Sequence, residues 1–280
     1  MGTMIALLLV LSALVGCAGN SMMDVKSAPA PEEVPLVYAV KMARSEEALT
    51  DEAGALLAEC SYEVPVLRVL DEDGGELEEA STPQEERALE AAERFNAQFS
   101  DWLDDPQNLE NLKESALADR DFRAEAGDGI NSFVPYADAL SCTAYQTGHV
   151  ISISGTYESY TGGAHPNTML LSWNFDLESG TFFEPEQLDQ GGGLSESVQE
   201  ELSRQIREIT DCPEEIFWPD YEEILADWSS YAVFFNEEGM TVAFSPYELA
   251  CYAAGPQIFH LSYEWLAPHL SEQARELLDL

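Results

Sequence analysis

A chain of 280 residues with 53 acidic and 12 basic side chains carries a formal net charge of −41. Such a polyanion is repelled by nucleic acid and by anionic lipid headgroups, and it draws cations and basic proteins from a distance. The same charge also suits solubility in an acidic or salty milieu, so charge by itself names no partner. With 45% hydrophobic and 10% aromatic residues the chain has enough apolar surface to bury a core.

The first element is an apolar run from Ile5 to Val15. It is shorter than the roughly 20 apolar residues a membrane-spanning helix needs and has the length of a signal-peptide core. The four residues Leu14-Val15-Gly16-Cys17 resemble the lipobox of bacterial lipoproteins, in which cleavage before the cysteine frees it to take a diacylglyceryl lipid. Residues 1–16 are then a signal peptide, Cys17 is the lipidation site and the chain sits on the outer face of the cell membrane. An ordinary secretory signal or an uncleaved anchor are the rival readings. Met1-Gly2-Thr3-Met4 lacks the usual basic start, so either the amino terminus supplies the charge or the start codon lies upstream. Residues 17–35 are small, polar and proline-bearing, which is the composition of a tether.

Structure is expected to begin near Leu36, with a strand over Leu36–Met42 and a second over about Leu57–Leu70, followed by a turn at Asp71–Gly75. That turn does not have the carboxylate spacing of a calcium-binding loop. Thr82-Pro83-Gln84-Glu85 is a capping box with proline at the first helical position. Leu89, Ala92, Phe95, Phe99 and Trp102 then recur every three or four residues, so one helix is expected to present an apolar face to a sheet. A more polar helix follows from Asn108 to about Ala124. Strands return over Ala139–Tyr145 and His149–Tyr157, joined by the turn Gln146–Gly148, and over Thr168–Leu177, after which Glu178–Gly180 turns into another short strand. After Gly191-Gly-Gly193, Leu194, Val198, Leu202 and Ile206 mark another amphipathic helix. A last meander occupies Tyr231–Phe235, Met240–Phe244 and Gln257–Ser262, and short helices close the chain around Tyr263–Leu266 and Ser271–Leu278. Clustered strands and helices without strict alternation give an α+β fold, mostly antiparallel sheets with helices packed on one face.

Four cysteines follow Cys17: Cys60, Cys142, Cys212 and Cys251. An exported chain with four cysteines allows two disulfides in three connectivities. Pairing within each half, Cys60–Cys142 and Cys212–Cys251, is the simplest; in an organism living without oxygen all four stay as thiols.

Catalytic motifs are absent from the sequence. The histidines His149, His165, His260 and His269 form no zinc-binding pair at helical spacing, and there is no nucleophile elbow, phosphate-binding loop or dinucleotide fingerprint. The expectation is therefore no catalytic residue, no metal and no cofactor, although so many carboxylates leave room for an acid–base pair acting on peptidoglycan or another glycan. The most singular segment is Ser159–Asn167, where two glycines, a proline and a histidine allow a tight turn. Tyr160, Thr161, Gly162, Gly163 and His165 are the candidate ligand-binding residues, with Tyr160 and His165 reaching outward; the alternative is a glycine turn whose histidine satisfies backbone groups. Phe244–Gly255 reads as a strand running into a helical turn that ends on glycine, its tyrosines serving packing.

Thr161-Gly-Gly-Ala-His165, Asn174-Phe-Asp-Leu-Glu-Ser-Gly180 and Phe244-Ser-Pro-Tyr-Glu-Leu-Ala250 with Ala254-Gly255 resemble the extracellular domain shared by RsiV-type anti-sigma factors and PdaC-type peptidoglycan deacetylases. Arg94-Phe-Asn-Ala-Gln98 is similar as well. The resemblance spans about Leu36–Leu270 and divides the chain into a PdaC-like half, residues 36–165, and an RsiV-like half, residues 166–280. RsiV-type proteins bind lysozyme outside the cell but carry a sigma-binding segment and a membrane helix, and PdaC-type proteins carry a separate metal-dependent deacetylase domain. None of these is recognisable in the sequence here. The resemblance implies a non-catalytic surface lipoprotein that binds a basic protein such as lysozyme or another cell-wall component, with a structural or signalling subunit of an envelope complex as a further alternative.

Overall fold

Apolar alternation starts the fold at Val37, and the strand continues far beyond the end of that pattern. In a computed structural model describing residues 36–126, 132–189, 193–228 and 231–280, β1 runs over Val37–Thr50 and β2 over Leu56–Leu70. They form a long antiparallel hairpin with Val37 opposite Leu70. The expected strand stopped at Met42 because Arg44, Glu46 and Glu47 interrupt the apolar pattern; they lie on an outer strand, where charge costs little. The signal peptide, the tether and Cys17 lie outside the described residues, as do Gly191 and Gly192.

The Thr82 capping box forms as expected, its hydroxyl accepting from Glu85 N–H at 3.2 Å while the Glu85 carboxylate accepts from Thr82 N–H at 3.0 Å. The helix it starts, α1 (Pro83–Ala97), ends before the apolar stripe does. Phe99 is buried between α1 and the four-residue α2 (Ser100–Leu103), and α3 occupies Pro106–Ala126. This helical crossover lets β3 (Tyr136–Gln146) lie parallel to β2, the one parallel pairing of the described sheets. β4 (Val150–Tyr160), β5 (Asn167–Asp176) and β6 (Thr181–Phe183) then add in sequence, giving a six-stranded sheet of order β1-β2-β3-β4-β5-β6. The proposed boundary at residue 165 falls between β4 and β5, which pair along their whole length.

Alternate residues of β4 and β5 serve two cores. Ile151, Ile153 and Phe175 face α1, where Phe95 meets Phe175 edge-on at 5.2 Å and stacks on Phe182 at 5.7 Å. The opposite face carries Ser152 and Asn174 and receives a second sheet, β7 (Ala232–Phe235), β8 (Gly239–Phe244) and β9 (Gln257–Ser262), in antiparallel order. The amphipathic α4 (Leu194–Ile209) buries its predicted Leu194, Val198, Leu202 and Ile206 in the same core as this sheet. A short α5 (Tyr221–Ala226), absent from the sequence reading, and the expected α6 (Tyr263–Leu266) and α7 (Glu272–Leu277) complete the α+β architecture. No described helix is long and apolar enough to cross a membrane.

All four described cysteines are free thiols, so neither disulfide pairing of the sequence reading is formed. The register explains the first pair. Cys60 lies opposite Asp138, and Cys142 is four residues further along β3, roughly 13 Å at strand rise, beyond the reach of a disulfide. Cys60 and Cys142 are buried, whereas Cys212 and Cys251 are exposed. Burial pushes the Cys60 thiol up and the Cys142 thiol up to about 12, which keeps both protonated and unreactive. A thiol reagent added to the folded chain beyond the tether is expected to modify Cys212 and Cys251 at once, and Cys60 and Cys142 only after denaturation. A native count of zero would mean that the exposed pair is oxidised.

Candidate functional site

The two segments singled out in the sequence meet on the surface. Tyr160 ends β4, and its hydroxyl donates to Gly163 O at 3.2 Å across a turn in which Gly162 and Gly163 take φ of +95° and +111°. Those values favour glycine, so the turn is built for a specific path. Thr161 and Gly163 are exposed, and Gly162 lies beside Arg123, whose guanidinium is already held by Asp119 at 2.9 Å. His165 is exposed, but it does not stand alone. Its ring stacks on Tyr252 with centroids 3.6 Å apart, its Nε2 lies 3.4 Å from the Tyr247 hydroxyl, and its Nδ1 lies 2.8 Å from Pro166 O.

Tyr247 is the residue the sequence reading missed. It has φ +76°, in the left-handed region that side chains other than glycine rarely adopt, and its side chain is 55% exposed. Such a conformation costs on the order of 1–3 kcal/mol and persists only where the surroundings enforce it. Here Tyr247 N–H donates to Ala250 O at 3.0 Å, and the Trp218 indole N–H donates to Tyr247 O at 3.0 Å. Ser245 N–H donates to the Glu248 carboxylate at 2.6 Å, and the Ser245 hydroxyl accepts from Leu170 N–H on β5 at 3.0 Å. Burial pushes the Glu248 carboxyl up, while its bonds to Ser245 pull it down. The segment before Tyr247 is thus anchored to the large sheet, and the strained tyrosine is offered to solvent. The sequence reading assigned the tyrosines of Phe244–Gly255 to packing; Tyr252 does pack, against His165, but Tyr247 projects.

The electrostatic setting is one-sided. No lysine or arginine occurs between Arg123 and Arg204 or between Arg207 and Arg275, and both segments of the cluster lie within those stretches. The arrangement offers aromatic faces, hydroxyls and an imidazole, with the guanidinium of Arg123 beside Gly162 already held by Asp119, a chemistry suited to stacking and to cations. Among the described residues, no group of three or more His, Cys, Asp or Glu is placed to hold a metal ion.

A second concavity, about 660 Å³, opens between the β3–β4 turn, the β5–β6 turn and α7. His149, Asp176, Glu178, Phe183, Glu276 and Asp279 are among its lining residues, and His149 Nε2 lies 3.4 Å from an Asp279 carboxylate oxygen.

Residues 181–264, from β6 into α6 and including Tyr247 and Tyr252, match the model of a family described as a protein of unknown function, DUF3298. No curated protein matches the chain. The crystal structure of a DUF3298 family member from Bacteroides fragilis superposes with a TM-score of 0.54 at 15% identity, covering 89% of this chain and all of that one. A DUF3298 family protein from Pseudomonas aeruginosa gives a TM-score of 0.47 at 14% identity over 87% of this chain and 97% of its own. The chain therefore carries a DUF3298 match at residues 181–264 and has the fold of the Bacteroides fragilis member.

Proposed function

We propose that the protein is a non-catalytic binding protein of the bacterial cell surface, held there by a lipid on Cys17. Its ligand on this reading is a basic protein such as lysozyme or another cell-wall-directed molecule, bound at the His165–Tyr247–Tyr252 cluster. The observation that carries the reading is Tyr247, an exposed aromatic kept in a strained backbone conformation beside the glycine turn. Strain maintained at an exposed aromatic is characteristic of a binding residue, and aromatic side chains are favoured anchors at protein interfaces. The net charge of −41 adds long-range attraction for a basic partner, which speeds encounter and weakens with salt. The resemblance to RsiV-type extracellular domains points to the same class of ligand.

The test is titration of the unit beginning at Val34 against hen lysozyme at low and physiological salt. Saturable one-to-one binding is expected at both, with a Tyr247→Gly variant losing at least tenfold in affinity. Because glycine accepts the left-handed conformation without strain, that variant is expected to melt at or above the parent temperature. Loss of binding without loss of stability would assign Tyr247 to recognition. Equal affinity of parent and variant would remove the cluster from the reading, and no binding at either salt would remove lysozyme.

The carboxylate-lined cleft beside α7 favours a second reading, an enzyme acting on peptidoglycan or another glycan through paired carboxylates. Release of reducing sugar or acetate from purified cell wall, lost in Glu178→Gln, would support it.

A further inference from the structure

Among the described residues the outer edge of β1 pairs with no strand, and its charge pattern matches itself. The direction of its backbone follows from β2. Val69 O accepts from Leu77 N–H, and both the N–H and the C=O of Leu67 are taken by the Asn96 side chain, so the odd-numbered residues of β2 in this stretch face away from β1. The even-numbered residues therefore make the ladder. In the observed register Val66 lies opposite Lys41, Val64 opposite Ala43 and Tyr62 opposite Ser45. The odd residues of β1 consequently bond to β2, and the N–H and C=O groups of Val40, Met42, Arg44, Glu46 and Ala48 point outward. Tyr38, in the same outward row, has its carbonyl taken by the Gln146 side chain at 2.8 Å. Among the described residues, nothing bonds the outward groups from Val40 to Ala48, and Met42, Arg44, Glu46 and Ala48 are exposed.

We propose that this edge pairs with the same edge of a second copy, antiparallel about a two-fold axis at Ser45, joining the two six-stranded sheets into one. A two-fold antiparallel pair must centre on one residue facing itself. Centring on Ser45 sets Arg44 opposite Glu46 of the second copy and Glu46 opposite its Arg44, two cross-strand ion pairs. Centring on Arg44 would put arginine against arginine, and centring on Glu46 or Glu47 would put glutamate against glutamate, both destabilising. Centring on Ala43 puts Arg44 against Met42 and forms no ion pair. Ser45 bonds inward to β2, so the Ser45–Ser45 pair is the narrow, non-hydrogen-bonded kind, with Cα atoms about 4.5 Å apart. Arg44 keeps a contact of its own, to Glu63 on β2 at 2.9 Å, and its fork of donors can serve both carboxylates. Outer strands are usually guarded by proline, bulges or one-signed charge; between Val40 and Ala48 there is no proline and the charges are mixed. The net charge of −41 opposes association of two copies. That repulsion is screened within about 8 Å at physiological ionic strength, so the dimer belongs to physiological rather than low salt.

The chain from Val34 to Leu280 is one compact unit, and the test uses it with Cys212→Ser and Cys251→Ser to remove the exposed thiols. Sedimentation equilibrium at physiological salt is expected to give twice the chain mass. Arg44→Glu is expected to return the monomer, and adding Glu46→Arg to restore the dimer. Arg44→Pro removes an outward N–H together with the exposed Arg44–Glu63 contact, takes no N–H from the β1–β2 ladder, and is expected to dissociate the dimer while leaving the circular dichroism unchanged. Ser45→Cys is expected to cross-link rapidly under mild oxidation, and Met42→Cys, which faces Ala48, is not. A monomer at every concentration overturns the proposal and leaves the edge to a foreign strand. A dimer indifferent to Arg44→Glu overturns it equally, since another surface would then hold the copies together.

Discussion

Asp138→Leu is expected to lower the stability of the fold by about 3 kcal/mol, from one buried and one half-buried donor each losing a partner worth roughly 1–3 kcal/mol. Asp138 sits on β3 between β2 and β4, only 6% exposed, with no cation among the described residues bonded to it. Its carboxylate is satisfied by two phenols, Tyr62 on β2 and Tyr157 on β4, each donating at 2.5 Å. Trp102 of α2 covers both rings, at 5.5 Å from Tyr62 and 5.3 Å from Tyr157. Removing the carboxylate alone strands two hydroxyls under that cover. Removing all three polar groups, as in Asp138→Leu with Tyr62→Phe and Tyr157→Phe, is expected to recover much of the loss, because no unpaired group remains. Denaturant unfolding of the single and triple variants decides the matter: a triple variant less stable than the single would show that the cluster contributes more than mutual satisfaction.

The same cluster sets an alkaline limit. Burial, then the hydrogen bond to Asp138, pushes Tyr157 up to about 12 and raises Tyr62 as well. A tyrosine whose folded value lies above its unfolded value, near 10, holds its full stabilising effect below pH 10. It loses that effect as the pH rises toward 12. Spectrophotometric titration should show two late tyrosinates in the parent, and an earlier Tyr157 in Asp138→Leu, displaced only by burial.

Local features of this architecture were legible in the sequence, and long-range ones were not. The capping box at Thr82, the α4 stripe and the β3–β4 and β7–β8 hairpins depend on residues within a few positions of each other, and their spacing is a direct image of geometry. β1 outran its apolar pattern because a strand with an open edge tolerates charge, and openness belongs to the sheet. The disulfide Cys60–Cys142 looked natural because both cysteines lie in strands; the parallel register created by the α1–α3 crossover separates them. The cluster at His165 was half legible. Its glycine turn announced itself, whereas Tyr247 and Tyr252 lie more than eighty residues away and meet it only after β5 and the second sheet are placed. A positive φ at a tyrosine has no sequence signal at all.

Asn174→Leu is the other substitution expected to be costly, because it opens the junction of the two sheets. β7 presents a free edge to the face of the large sheet, and backbone groups buried there need partners. Val233 N–H donates to the Ser172 hydroxyl at 2.9 Å and Phe235 N–H to the Ser152 hydroxyl at 2.7 Å. Val233 O accepts from the Asn174 amide at 2.9 Å, and the Ser152 hydroxyl donates to the Asn174 amide oxygen at 2.7 Å. Ser152 and Asn174 are themselves opposite on β4 and β5, so a cross-strand pair of the large sheet serves as the ladder that β7 lacks. Leucine at 174 leaves Val233 O without its donor and the Ser152 O–H without its acceptor, although the Ser152 oxygen still accepts from Phe235 N–H; the loss is on the order of 3 kcal/mol, or roughly 6–12 °C in Tm for a domain of this size. Hydrogen exchange locates the effect. Val233 and Phe235 amides should lose protection in Asn174→Leu while the β3–β4 ladder keeps its own; uniform loss across both sheets would mean that the junction is inseparable from the rest of the fold. Because Leu170 N–H also reaches the Ser245 hydroxyl next to the Tyr247 turn, loosening this face is expected to release the strained tyrosine. Lysozyme affinity measured on the same variant then separates the two roles: weaker binding with the large sheet intact would mean that the junction exists to hold the aromatic cluster in place.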